Sequence, residues 1–103
     1  MTNDLPLFTL LLETETCLRR LSLWGNEQPE KSALLSKEPF ALDTLEPEQW
    51  LQWIFIPKMR EMLESQLVPS GFSISPYFEE VWKTDSVKLE LIALLHQIDE
   101  ECR

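Results

Sequence analysis

The chain holds few residues suited to covalent or acid–base chemistry, and their spacing does not favour it. His96 is the sole histidine. It follows Leu95 at the edge of an apolar helical face, where it could act as a general base but reads first as a partly buried structural residue. Cys17 and Cys102 stand at opposite ends of the chain, with no metal-ligand or redox spacing. They are expected to be idle thiols; a disulfide joining the end helices is the alternative, unusual in a reducing compartment. No serine lies in a nucleophile elbow, and Gly25 and Gly71 alone make neither a phosphate loop nor a dinucleotide fingerprint. Glu79–Glu80 and Asp99–Glu100–Glu101 are sequence neighbours, so they diverge around a helix and read as solvated acidic faces. Asp43 precedes a helix N-terminus and is read as a cap, with a binding role as the alternative. No catalytic residue, metal or cofactor is expected.

The aromatic residues are the stronger signal. Phe40, Trp50, Trp53, Phe55, Tyr77 and Trp82 crowd into under half of the chain. Trp and Tyr are enriched in binding hot spots and also fill cores. Trp50, Trp53 and Pro57 are expected on one side of a single helix, either packed inside or displayed as a patch. The partner-binding candidates are Phe40, Asp43, Trp50, Trp53, Pro57, Lys58 and Tyr77.

Helices must position these residues. Pro6 suits a first helical turn, with Asp4 as its cap. Leu7, Leu11, Thr14, Leu18 and Leu21, flanked by Leu10, Cys17 and Trp24, make one broad apolar face from about Leu5 to Trp24. Gly25–Asn26 is expected to stop that helix. The stretch to Phe40 is irregular, with one short turn at Ala33–Leu35. A second helix, capped by Asp43 or Thr44, carries Pro47 in its first turn and is apolar from Trp50 to Ile56 except for Gln52. Pro57 cannot donate to the carbonyl of Trp53 and should bend this helix. Beyond it, Lys58, Arg60, Glu61 and Glu64 face outward and are expected to pair along the helix. Val68–Gly71 reads as a turn and Phe72–Ser75 as an extended piece. A short third helix runs from about Pro76 to Thr84, capped by Ser75. A fourth runs from about Val87 to Glu101, capped by Asp85 or Ser86, with Val87, Leu91, Leu94, Ile98 and Cys102 facing inward. Its acidic end opposes the helix dipole and should fray.

The fold class expected is therefore all-α: a single-domain, irregular bundle of about four helices spanning residues 1–103. A chain of this size should expose about 6,000 Å² when folded, which leaves a sufficient core. Lys plus Arg number 9 and Asp plus Glu 18, so the net charge is 9 − 18 = −9. That charge disfavours free nucleic acid and anionic membrane surfaces as main ligands. No basic leader precedes the apolar run Leu5–Leu12, and a soluble, cytoplasmic protein is expected.

The stretch Pro39–Phe40, Asp43–Thr44–Leu45–Glu46–Pro47 and Trp50–Leu51–Gln52–Trp53–Ile54–Phe55–Ile56–Pro57–Lys58–Met59 resembles the YqcC-like family of small bacterial proteins. Pro76–Tyr77 and Glu79 look like that family's second signature. Lys58 stands where arginine is common in the family; it keeps the charge and loses the planar fork. The resemblance covers nearly the whole chain. It implies a compact all-helical domain of unknown function, associated by gene neighbourhood and by name with a tRNA pseudouridine synthase of the C type. It does not make this chain the synthase, whose larger α/β fold holds a catalytic aspartate in a sheet-based cleft. Asp43 is not that aspartate.

Three functions follow. In the first, the chain is a non-enzymatic interaction protein that docks on a basic partner, with a tRNA pseudouridine synthase as the expected one. In the second it is a direct RNA-binding helper, using Arg19, Arg20, Lys58 and Arg60 beside aromatic rings. In the third it is a small enzyme using His96. Homodimer formation through Phe8 and Leu12 is a separate open question.

Overall fold

A computed structural model describes residues 5–38, 41, 43–68 and 70–103. Phe40 and the expected cap Asp4 lie outside the described residues. The described elements are helical: α1 (Leu5–Arg20), a one-turn α2 (Lys31–Leu34), α3 (Pro47–Trp50), a π-helical segment (Leu51–Phe55), α4 (Ile56–Glu64), α5 (Ser75–Val81), a 3-10 turn (Ser86–Lys88) and α6 (Leu89–Glu101). The all-α expectation holds. Helices α1 and α6 form the main packed pair. They run antiparallel, with Arg20 against Glu90 at one end and Pro6 facing Glu100 and Glu101 at the other.

One core joins these elements. Leu11, Leu18, Leu51, Phe78, Leu91, Leu95 and Ile98 are fully buried in it. Phe78 is the aromatic hub, with ring centroids 4.9 Å from Tyr77, 4.9 Å from Trp82 and 6.0 Å from Trp50. Such pairs add to the area burial when offset or edge-on. Thr14 enters the core because its hydroxyl donates back to the Leu10 carbonyl at 2.7 Å.

Several boundaries differ from expectation. Helix α1 stops at Arg20, before Gly25–Asn26. Ser22 takes the left-handed conformation (φ 62°), Leu23 N–H donates to the Leu18 carbonyl and Ser22 N–H to the Arg19 carbonyl. This is the Schellman stop, usually built on glycine. Gln66 (φ 59°) ends α4 by the same pair of bonds. Helix α3 starts at Pro47 after the N-cap Glu46, whose backbone N–H is bonded by Gln49 Oε1 at 2.8 Å. Asp43 and Thr44 do not cap it: they tie the preceding loop to Ser36 Oγ (2.5 Å) and to the Ala33 carbonyl (2.8 Å). Val87 points outward, 64% exposed, because a 3-10 turn precedes α6 there. Asp85 does cap that turn, accepting from Val87 N–H.

The expected fraying of the last acidic turn is overturned for Asp99. Its carboxylate accepts from Ile74 N–H (2.8 Å), Ser75 N–H (2.9 Å) and Ser75 Oγ–H (2.6 Å), so it caps α5 from a neighbouring helix. Ser75 is thus the first residue of α5, after the N-cap Ile74. Cys17 and Cys102 are both buried and free, with no disulfide between them.

Candidate functional site

Pro57 shapes the most distinctive part of the molecule. It has no N–H for the Trp53 carbonyl, and its ring crowds that oxygen. The chain answers with a widened turn: Ile56 N–H donates to the Leu51 carbonyl, five residues back, and Leu51–Phe55 is π-helical. Such π-bulges recur at functional sites. The wider turn separates two tryptophans expected on one side. Trp50 stacks on Phe55 at 5.3 Å and borders a shallow groove with Lys58, Met62 and Phe72. Trp53 and Pro57 turn instead toward α1 and the loop after it.

There they line a cavity of about 420 Å³ with Arg19, Trp24, Asn26 and Arg60. Each wall has an identifiable cause. The Schellman stop at Ser22 turns the chain so that Trp24 falls beside Arg19, whose guanidinium lies 4.7 Å from the Trp24 ring centroid. Gln52, 5% exposed, locks the loop in place. Gly25 N–H donates to its Oε1 at 2.8 Å, and its Nε2–H donates to the Gly25 carbonyl at 2.7 Å. Gln52 thus clamps a segment 27 residues away rather than serving the carbonyl freed by Pro57. Glu15 bridges the two arginines, accepting from Arg60 at 2.5 Å and from Arg19 Nε at 3.0 Å. Arg60 therefore pairs across to α1 rather than along its own helix. Burial raises the Glu15 pKa, and the two guanidinium groups outweigh it, holding the carboxyl below its ordinary 4.5.

Tyr77 belongs to a second cleft of about 410 Å³, with Glu46, Pro47, Glu48, Val81 and Trp82. The two sequence signatures, around Pro47 and around Tyr77, meet here. Burial, then the Glu46 and Glu48 charges, push the Tyr77 phenol pKa up. Lys88 Nζ sits 5.1 Å from the Trp82 ring centroid and 2.9 Å from Asp85.

The seven partner-binding candidates are thus distributed. Trp53 and Pro57 share the basic cavity, Trp50 and Lys58 the shallow groove, Tyr77 the acidic cleft, and Asp43 an exposed loop; Phe40 is outside the described residues. Trp24 had been read as part of the apolar face of the first helix; Arg19, Arg20, Lys58 and Arg60 had been read as one basic patch beside aromatic rings, and the structure places Arg19 and Arg60 with Trp24 and Trp53 but Lys58 in the groove at Trp50.

His96 is exposed rather than partly buried. Its Nδ1 lies 3.2 Å from Ser75 Oγ and its Nε2 3.3 Å from Glu79. Ser75, His96 and two carboxylates are therefore neighbours. Ser75 Oγ is buried and already donates to Asp99, the bond that helps cap α5. The same oxygen lies within hydrogen-bond distance of His96 Nδ1, so the hydroxyl is shared between the Asp99 carboxylate and the imidazole. No group of three or more His, Cys, Asp or Glu side chains among the described residues is placed to hold a metal. Burial raises both thiols, Cys102 to about 11. No helix among the described residues is long and apolar enough to cross a membrane.

Residues 6–101 match the family model described as tRNA pseudouridine synthase C. An uncharacterised protein of Haemophilus influenzae is 40% identical over 87% of this chain and 86% of its own length. The chain belongs to this YqcC-like family. The uncharacterised protein YqcC of Escherichia coli is 39% identical over 82% of this chain and 80% of its own. The solution NMR structure of E. coli YqcC superposes with a TM-score of 0.83 at 34% identity, covering 98% of this chain and 88% of that one. A protein of Pectobacterium carotovorum named tRNA pseudouridine synthase C is 40% identical over 71% of this chain, but the match spans only 20% of its length. The family-level expectation from the central motif holds, together with the all-helical fold.

Proposed function

We propose that the chain is a non-catalytic interaction protein that works beside a tRNA pseudouridine synthase in the cytoplasm. The observation that carries this reading is the Pectobacterium protein. A segment like this chain makes up about a fifth of a longer protein that bears the synthase name. We take the rest of that protein to carry the synthase; the two parts are then made as one chain, and here the module would meet its partner as a separate chain.

The surface supports a basic partner. With a net charge of −9, the chain would be steered toward it from a distance. The cleft at Tyr77 holds the Glu46 and Glu48 carboxylates against one cation, Lys88, which already covers the Trp82 ring; the two carboxylates beside Tyr77 are what would meet a lysine or arginine of the partner. Asp43, exposed on the loop just before Glu46, extends the same acidic surface.

The test mixes the full chain with the pseudouridine synthase of the same genome and measures mass by light scattering on a sizing column, with and without tRNA. A stable complex is expected. It should weaken at raised salt and with Glu48→Lys or Tyr77→Ala, provided circular dichroism shows the variants folded. Absence of a complex in either condition overturns the reading.

A further inference from the structure

The basic cavity at Trp53 lies apart from the acidic cleft at Tyr77 and carries the opposite charge. We propose that it binds one unpaired nucleotide of an RNA strand, with the base held against aromatic and guanidinium planes and the phosphate against Arg19 and Arg60. Three observations combine. The cavity, about 420 Å³, falls in the size range of small-ligand sites. Trp53 lines the cavity as one stacking plane for a base, and the Arg19 guanidinium, which itself lies over Trp24, offers a second. Two arginines converge on one carboxylate, Glu15, which fixes them while using one donor nitrogen of each: Nε of Arg19 and one terminal nitrogen of Arg60. A guanidinium has five N–H donors, so the rest of each fork remains for a phosphate.

The local charge fits that ligand. Arg19 and Arg60 against Glu15 leave one net positive charge on a chain whose total is −9. An extended nucleic-acid track would meet more repulsion from the acidic remainder than a single nucleotide, whose one or two phosphates lie beside the arginines. An acidic peptide satisfies the arginines but fills the indole walls only where it also carries an aromatic side chain, and such a peptide is therefore a competitor in the test. The supports are rigid too: the π-helical turn sets Trp53, and the Gln52 clamp sets the loop that carries Trp24. Rigid placement lowers the ordering cost of binding.

The inference adds a ligand to the proposed role without depending on a synthase partner, and its test contains no synthase. Fluorescence anisotropy on the full chain would use labelled, 5′-phosphorylated single-stranded ribodinucleotides at low ionic strength. Inorganic phosphate and an acidic phenylalanine-containing peptide serve as competitors. The expected result is saturable binding that weakens as salt is raised, because the arginine–phosphate attraction is screened. Trp53→Ala and Arg19→Gln should each weaken binding about tenfold or more. Arg19 is a surface side chain, so its variant decides the matter if Trp53→Ala unfolds. Three results would each overturn the proposal: no dinucleotide binding, displacement by phosphate or peptide as effective as by unlabelled dinucleotide, or an unchanged affinity in folded Arg19→Gln.

Discussion

The Gln52 clamp makes the sharpest prediction, because one side chain satisfies both backbone groups of a residue 27 positions away. Gln52→Ala removes two hydrogen bonds and leaves the Gly25 N–H and carbonyl to whatever water reaches them. At about 1 kcal/mol net for each bond, with some loss of packing at a 5% exposed position, the cost is about 2–3 kcal/mol. For a domain of this size that lowers Tm by roughly 10–20 °C. Gln52→Glu separates the two bonds. The new carboxylate still accepts from Gly25 N–H, but it faces the Gly25 carbonyl with no proton to offer, so at pH 7 it should cost at least as much as alanine. Its acid form can donate to that carbonyl. Burial and the facing carbonyl raise its folded pKa above the unfolded value of about 4.3. The restoring bond is therefore present in acid and lost as pH rises through the folded pKa. The stability gap between Gln52→Glu and the parent should narrow between pH 7 and pH 4.5. Urea titrations at both pH values measure this, with amide exchange at Gly25 as the local readout. Refutation would be Gln52→Ala within 0.5 kcal/mol of the parent, or a Gly25 amide equally protected in both.

Three further predictions concern the scaffold. Asp99→Ala strips the cap from α5, leaving Ile74 N–H and Ser75 N–H without their acceptor, and should cost about 2–3 kcal/mol in urea unfolding. Gln66→Gly relieves an exposed left-handed residue and should stabilise by about 0.5–1 kcal/mol, seen as a higher Tm; a lower Tm would contradict the Schellman assignment. Glu15 has a folded pKa below its unfolded one, so its contribution is full above pH ~4.5 and fades as pH falls through the folded value. Thermal melts of the parent and Glu15→Gln should accordingly differ at pH 6–7 and converge in acid.

What was legible in the sequence follows from the range of the interactions involved. Apolar rows at three- and four-residue spacing revealed the helices, and the Trp50–Met59 motif revealed the family, because both are local. One missed boundary has a plain cause: a glycine was expected where the chain leaves the first helix, and Ser22 takes the left-handed conformation instead, as Gln66 does at the end of α4. Serine and glutamine carry no local mark of that choice. Arg60 with Glu15 and Asp99 with Ser75 lie 45 and 24 residues apart, so no spacing rule reaches them. Asp99 in particular reads as a liability on its own helix, because the N-terminus it serves belongs to another element.

Gln52 shows how such a site could be sought. It was the one polar residue from Trp50 to Ile56, and a buried amide must find partners for donor and acceptor alike. An isolated polar residue in an apolar turn beside a mid-helix proline thus announces a long-range bond, although it does not name the partner. The same proline widens the turn and sends Trp53 away from Trp50. A helical wheel at 3.6 residues per turn merges the two rings into one face; the observed turn gives one to the hydrophobic core's edge and the other to a basic cavity. If Pro57 sets that division, Pro57→Ala should let the helix tighten and draw Trp53 toward Trp50. The cavity beside Arg19 and Arg60 would then be lost, while the core around Phe78, built from other elements, would stand.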